Sequence, residues 1–310
     1  MRSLGRSTAE FPPLIVICGA TATGKTALSL ELAARIPGAE IISADSRQVY
    51  RGMDIGTAKV SAAQRALVPH HGLDLVEPDQ PFSAADFRHA ALDALHAIAA
   101  RGGVALLVGG TGLYMRAVAR GVTLEDTGRD VELRVELEQR LVGEGLHVLV
   151  AQLRSAAPGV AARTDLANPR RVVRALERVS VRGDVAPPQP RGYPARSVWI
   201  GLQVDPSENA RRIDERARAQ FASGLLDEAA ALLTRFDPSE RAFSAVGYRE
   251  AFAVLAGGWS VGEAIERTVL RTRQLARRQR TWFRAEADVN WFNPLDHQAV
   301  HQRVGAVLRG

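Results

Sequence analysis

Residues 17–26 read ICGATATGKT, and within them Gly19, Ala20, Thr21, Ala22, Thr23, Gly24, Lys25 and Thr26 fit the spacing G-x-x-x-x-G-K-[ST]. That spacing builds a loop whose backbone N–H groups wrap a phosphate, with the Lys25 ammonium reaching across it and the Thr26 hydroxyl turned to a Mg2+ ion. Such a loop needs a strand before it and a helix after it, and both are legible. Leu14–Cys18 is a short apolar run of the kind buried in a parallel sheet. Lys25–Arg35 then places Ala27, Leu28, Glu31, Leu32 and Arg35 along one helical face, and Pro37 ends the helix.

Working outward, Glu40–Ser43 predicts a second strand. A helix follows over PFSAADFRHAALDALHAIAARGG, with Ser83 as cap, Asp86 completing a capping box and Gly102–Gly103 as the stop. Val104–Val108 is a third strand. Strands alternating with helices predict an α/β doubly wound parallel sheet around the phosphate loop. The pattern changes from Val122: charged helical runs such as RDVELRVELEQRLVGEG and NPRRVVRALERVS replace strands. The proline-rich connector GDVAPPQPRGYP cannot be regular structure. SVWIGLQV, 197–204, returns to the sheet, and the tail from Pro206 onward reads as helical. The expected organisation is a core of residues 1–121 and 192–310 interrupted by a helical domain over 122–191.

Among the 310 residues, apolar types make up 46% and charged types 24%, which is globular and excludes a disordered chain. The single cysteine, Cys18, excludes an internal disulfide framework and suits a reducing cytoplasm. PLIVIC is too short for a signal-peptide core, and no run approaches the ~20 apolar residues of a membrane span. A cytoplasmic, monomeric protein without a membrane segment is expected. The net charge of +6 is carried almost wholly by arginine, because lysine occurs only at positions 25 and 59. A lysine retained in such a chain marks a place where a compact point charge cannot be imitated by a forked guanidinium. Lys59 is therefore expected to serve in donor or RNA handling.

The strand Val104–Val108 runs into GGTGLY, so Thr111 stands where phosphate-loop hydrolases place a Mg2+-binding aspartate. Nor does the chain carry the Asn-Lys-x-Asp run that reads guanine. The carboxylate comes instead from Asp45, at the carboxyl end of the second strand, where open parallel sheets bind their ligands. The third feature is RTRQLARRQRTWFR. Arg273, Arg277, Arg280 and Arg284 share one helical face with no acid among them, a repulsion that a nucleic-acid backbone offsets. Gln279, Trp282 and Phe283 add base-reading or stacking groups, although for Phe283 the core is the favoured place.

Taken together, the phosphate loop, ISADSRQVYRGMDIGTAK, SAADFR, LLVGGTGLY, NPRRVVRALE, VGYRE and RQLARRQRTWFR resemble the tRNA dimethylallyltransferase (IPP transferase) family, in order and over nearly the whole chain. The resemblance implies transfer of a dimethylallyl group from dimethylallyl diphosphate to N6 of the adenine 3′ of the anticodon, in a tRNA anticodon stem-loop. Gly19–Thr26 would hold the diphosphate, with Thr26 on Mg2+. Asp45 would be the general base, Thr111 would sit between RNA and donor, and Arg216 would clamp the leaving diphosphate. Contacts to tRNA would come from Asp45, Ser46, Arg47, Gln48, Thr111 and Arg134. Further ones would come from Ala167, Asn168, Pro169, Arg170 and Arg171, and from Ser244, Ala245, Val246, Gly247, Tyr248 and Arg249. The last group would be Arg277, Arg278, Gln279, Arg280, Thr281, Trp282, Phe283 and Arg284. The helical insertion would be the family's swivelling domain. The target adenine must leave its stack, at a cost of a few kcal/mol.

Two other readings compete. A phosphate-loop kinase of a small metabolite explains the loop and Thr26 but not the arginine helix. A non-catalytic RNA-binding protein explains the arginines but leaves Asp45 and Thr111 idle. Tight Mg2+-dependent ATP binding would favour the first; RNA binding without a prenylated product would favour the second.

Overall fold

The computed structural model describes residues 10–122, 124, 131–186 and 188–309. Arg129 and Asp130, expected at the head of a helix, and Pro187 of the connector lie outside them. The chain divides into two compact units, one holding the described residues of Met1–Val122 and Arg191–Gly310, the other those of Thr123–Pro190.

In chain order the first unit begins β1 (Leu14–Gly19), α1 (Lys25–Arg35), β2 (Ala39–Ala44), α2 (Ala62–Leu67), β3 (His70–His71), α3 (Ala84–Ala100), β4 (Val104–Gly109) and α4 (Gly112–Ala119). The second unit holds α5 (Val131–Gly143), α6 (Leu146–Ala156), α7 (Pro158–Ala161) and α8 (Pro169–Arg182). The first unit then resumes with β5 (Ser197–Leu202), α9 (Pro206–Ala222), α10 (Leu225–Leu233), a 3-10 turn (Arg241–Ser244), α11 (Tyr248–Leu255), α12 (Val261–Arg284), β6 (Val289–Phe292) and α13 (His297–Arg309).

The six strands form one sheet in the order β3-β2-β4-β1-β5-β6, and every pairing is parallel. Both faces are covered, so β1 is apolar at successive positions. Leu14, Val16 and Cys18 pack on one side with Phe87, Leu95 and Ile98 of α3, while Ile15 and Ile17 pack on the other with Leu28 and Leu32 of α1 and Val300 of α13. Because β2, β4 and β1 are consecutive in the sheet, their carboxyl ends deliver Asp45, Gly110-Thr111 and the Gly19–Thr26 loop to one edge. The connection from β1 to β2 leads one way across the sheet and that from β4 to β5 the other, which opens a crevice at this edge.

The capping box read at Ser83 and Asp86 is present, with Ser83 Oγ accepting from Asp86 N and Asp86 Oδ2 accepting from Ser83 N. β3 and β6 interrupt stretches read as loop or helix. The tail from Pro206 is therefore not wholly helical: Val289–Phe292 extends the sheet beyond β5, with Trp199 beside Val289 and Leu202 beside Phe292. In the second unit, Leu137, Leu149, Leu153, Val160, Val172, Val173 and Leu176 make a separate core among its helices. Among the described residues no helix is long and apolar enough to cross a membrane.

Candidate active site

The Gly19–Thr26 loop is built as its spacing demands. Gly24 has φ +94°, a left-handed conformation that glycine adopts freely, and it leads directly into α1. Ala22 at the apex has φ +63°, which costs an alanine about 1 kcal/mol or more and persists only where its surroundings over-determine it. Thr21 supplies that constraint. Its N–H donates to Gln279 Oε1 at 2.8 Å, its carbonyl accepts from Asn209 Nδ2 at 3.0 Å, and its hydroxyl accepts from the Arg216 guanidinium at 3.2 Å. Lys25 Nζ donates to the carbonyls of Gly19 at 3.1 Å and Ala20 at 2.6 Å.

A cavity of about 550 Å3 opens before this loop, walled by Thr21, Ala22, Gly24, Lys25 and Thr26 and by Asp45, Gln48, Arg216 and Gln279. Burial pushes the Lys25 ammonium down to a pKa of about 8, with Arg216 adding to the effect and Asp45 opposing it. Burial also lowers the Arg216 guanidinium from its usual value, again against Asp45. Lys25 and Arg216 thus face Asp45 across one space, which Arg212, Glu215 and His70 also line. A smaller cavity of about 90 Å3 adjoins it, lined by Arg47, Ala245 and Val246 among others. Thr21, Asp45, Thr57, Arg216 and Gln279 line both cavities. Asp45 therefore stands where two spaces meet.

The turn after β2 is fixed locally. Asp45 Oδ1 accepts from Arg47 N at 2.9 Å, and Ser46 N donates to Thr111 Oγ1 at 3.0 Å. Thr111 walls neither cavity; through Ser46 it anchors the turn that carries Asp45. Arg47 donates to the carbonyls of Arg241 at 3.0 Å and Ala242 at 3.4 Å. Gln48 Nε2 donates to Thr57 O at 3.1 Å.

Several side chains expected at RNA do other work. Gln279 Nε2 donates to Gly110 O at 3.1 Å, so its amide ties the phosphate loop to the end of β4. A Cβ on Gly110 would lie 2.2 Å from that amide, so a larger residue there would displace the Gln279 side chain. Trp282 packs on Gly112 and beneath the Arg116 guanidinium, 4.9 Å from the ring centroid. Phe283, on α12, is buried in the core, the place its side chain favoured. Tyr248 is fully buried, and its hydroxyl donates to Glu228 Oε1 at 2.6 Å; the same carboxylate accepts from the backbone N–H groups of Asp54, Ile55 and Gly56. Packing against the 54–56 loop replaces the expected RNA contact of Tyr248.

Gly247 N donates to Glu250 Oε2, Ser244 Oγ to Arg241 O, and Thr281 Oγ1 to Arg277 O. Arg249, Arg277, Arg278, Thr281 and Arg284 are exposed, and Arg280 is half-buried. Within the second unit, Arg134 pairs with Glu138 at 3.0 Å, Asn168 caps α8, Pro169 is its first residue, and Ala167, Arg170 and Arg171 are exposed.

Lys59 corrects its expected role. Its Nζ reaches Tyr50 O at 2.5 Å, Asp54 Oδ1 at 2.7 Å and Asp74 Oδ1 at 2.6 Å, and the side chain is 1% exposed. All three donors are consumed by the protein. Asn209 and Gln279 were the side chains whose loop-holding roles escaped notice. The signal for Asn209 was present: Asn209, Ile213, Ala217 and Phe221 form one buried stripe of α9, and a lone amide in an apolar stripe needs a specific partner.

A family model described as IPP transferase matches residues 48–286, and one described as isopentenyl transferase matches residues 12–69. The chain belongs to the IPP transferase family. It is 43% identical to the tRNA dimethylallyltransferase of Symbiobacterium thermophilum, covering 96% of this chain and 94% of that relative. It is 45% identical to the tRNA dimethylallyltransferase of an Anaeromyxobacter species (strain K), covering 94% and 96%. The crystal structure of the full-length tRNA isopentenylpyrophosphate transferase from Bacillus halodurans superposes with a TM-score of 0.71 at 38% identity, covering 96% of this chain and 97% of that one.

Proposed function

We propose that this chain is a tRNA-modifying prenyltransferase that moves a dimethylallyl group from dimethylallyl diphosphate to N6 of the adenine 3′ of the anticodon. The observation that carries this reading is the junction of two cavities at Asp45, one of them fronted by the Gly19–Thr26 loop, Lys25 and Arg216. A diphosphate on the loop leaves its allylic carbon near the junction. An adenine entering through the smaller cavity brings its amino group to the same point.

The amine's lone pair is delocalised into the ring, so it sheds its proton only as it bonds to carbon. N6 attacks the allylic C1, the C1–O bond breaks, and the electron pair leaves with the diphosphate. Asp45 accepts the N6 proton. Charge growing on the leaving diphosphate falls against Lys25, Arg216 and the N–H groups that open α1. Thr111 positions Asp45 through Ser46. The Thr26 hydroxyl lines the donor cavity and, among the described residues, makes no side-chain hydrogen bond. One hydroxyl beside phosphate oxygens and water is a set that Mg2+ accepts, and a bound Mg2+ would neutralise diphosphate charge. The exposed Arg249, Arg277 and Arg278 are suited to RNA phosphates.

Proton acceptance by a placed carboxylate contributes typically 10²–10⁴ in rate, or roughly 3–5 kcal/mol of barrier. Asp45→Asn should lower the single-turnover rate at saturating tRNA and donor by at least about 10² and leave tRNA affinity nearly unchanged. Weak tRNA binding with a normal rate at saturation would make Asp45 a recognition residue and move the base elsewhere.

A further inference from the structure

We propose that a second phosphate group binds behind the donor loop, in a cavity of about 240 Å3 at which Arg280 and Arg284 converge. No residue lines both this cavity and the donor cavity. Ala20 and Thr23 contribute its wall from the loop, and Trp291 closes another side.

The helical pattern of α12 argues against an idle arginine at 280. Ala276, one turn earlier on the same face, is buried against Ala20, Ile213 and Ala217, so that face calls for an apolar side chain at 280. A half-buried guanidinium takes its place. Its one hydrogen bond among the described residues is long, 3.5 Å to Asn209 Oδ1, which leaves most of its five donors to be met. Arg284 follows one turn later and makes no ion pair or hydrogen bond among the described residues. Like charges at this spacing repel, and no Asp or Glu lines the cavity to compensate them. Two forked donors facing one small space match the oxygens of a phosphate. The phosphate is either a free anion or a unit of an RNA backbone. An occupant competes with Asn209 for Arg280, and Asn209 holds the Thr21 carbonyl, so the site is wired to the donor loop.

The test needs no turnover and is independent of the prenyl-transfer reading. The full chain is titrated with inorganic diphosphate by calorimetry at low ionic strength. Wild type should bind two per chain. Arg280→Leu/Arg284→Gln, which restores the apolar residue the face calls for, should bind one, at the donor site. Arg284→Gln alone should weaken the second site, and it serves if the double variant does not fold. Equal stoichiometry and affinity in wild type and variants overturns the proposal. Repeating the titration with saturating tRNA separates the sources. An RNA phosphate in the site removes the second diphosphate, and the double variant then flattens the log–log salt dependence of tRNA binding by roughly 0.7–0.9 per lost contact. A free anion leaves both the stoichiometry and that slope as they were.

Discussion

A buried ammonium that also shares its cavity with a guanidinium holds its proton weakly, and Lys25 is in that position. Its pKa is lowered from 10.5 to about 8, so between these values the native state binds fewer protons than the unfolded chain. Stability therefore gains from this group as pH rises through that window, whereas ligand binding responds in the opposite sense, because an arriving diphosphate needs the charged form. Diphosphate affinity should fall above about pH 8. Calorimetry in buffers of different ionisation enthalpy should show more proton uptake for wild type than for Lys25→Ala; equal uptake would remove Lys25 from diphosphate binding. Lys59 carries a different lesson. Its retention in an arginine-rich chain correctly marked a point charge that arginine cannot replace, but the three acceptors around it come from Tyr50, Asp54 and Asp74, which are separated in sequence and meet only in the fold. Lys59→Arg should overpack this buried knot and cost about 1–3 kcal/mol in urea unfolding, with donor and RNA affinities per folded molecule unchanged. Normal stability with impaired binding would return Lys59 to ligand handling.

At the scale of elements, α1 and α3 were legible because their signals are local: glycine or serine caps, apolar spacing and a following stop. The two-residue β3 and four-residue β6 were not, since so short an edge strand is specified by its neighbour in the sheet and not by its own pattern. The coupling of α12 to the phosphate loop was hidden for a related reason. Gln279 lies between two exposed arginines and the buried Phe283, and the sequence gives no sign that its amide spans Thr21 and Gly110. Gln279→Ala removes both bonds and frees the strained apex at Ala22. A loss of about 1.4 kcal/mol would weaken donor binding tenfold. The expected outcome is a donor KM raised by about that factor, with the salt dependence of tRNA binding preserved. An unchanged donor KM with altered tRNA affinity would restore Gln279 to base reading.

At the scale of the whole molecule, one loop decided the architecture. A phosphate loop requires a buried strand before it and a helix after it, and the apolar runs at 40–43 and 104–108 then had only a parallel sheet to join. The same reasoning led to Asp45, because every strand of such a parallel sheet brings its carboxyl end to the edge that holds the loop. What it could not supply was which side chains of α9, α11 and α12 turn inward, since these helices are apolar on one face and arginine-rich on the rest, and their rotation is set by packing. The most direct measurement is mass spectrometry of the nucleosides from unmodified tRNA incubated with the protein, Mg2+ and dimethylallyl diphosphate. Prenyl transfer predicts an adenosine carrying one dimethylallyl group on N6, located 3′ of the anticodon and absent with Lys25→Ala or Asp45→Asn over the same interval. Unmodified adenosine at that position, together with Lys25-dependent phosphoryl transfer from ATP, would contradict it.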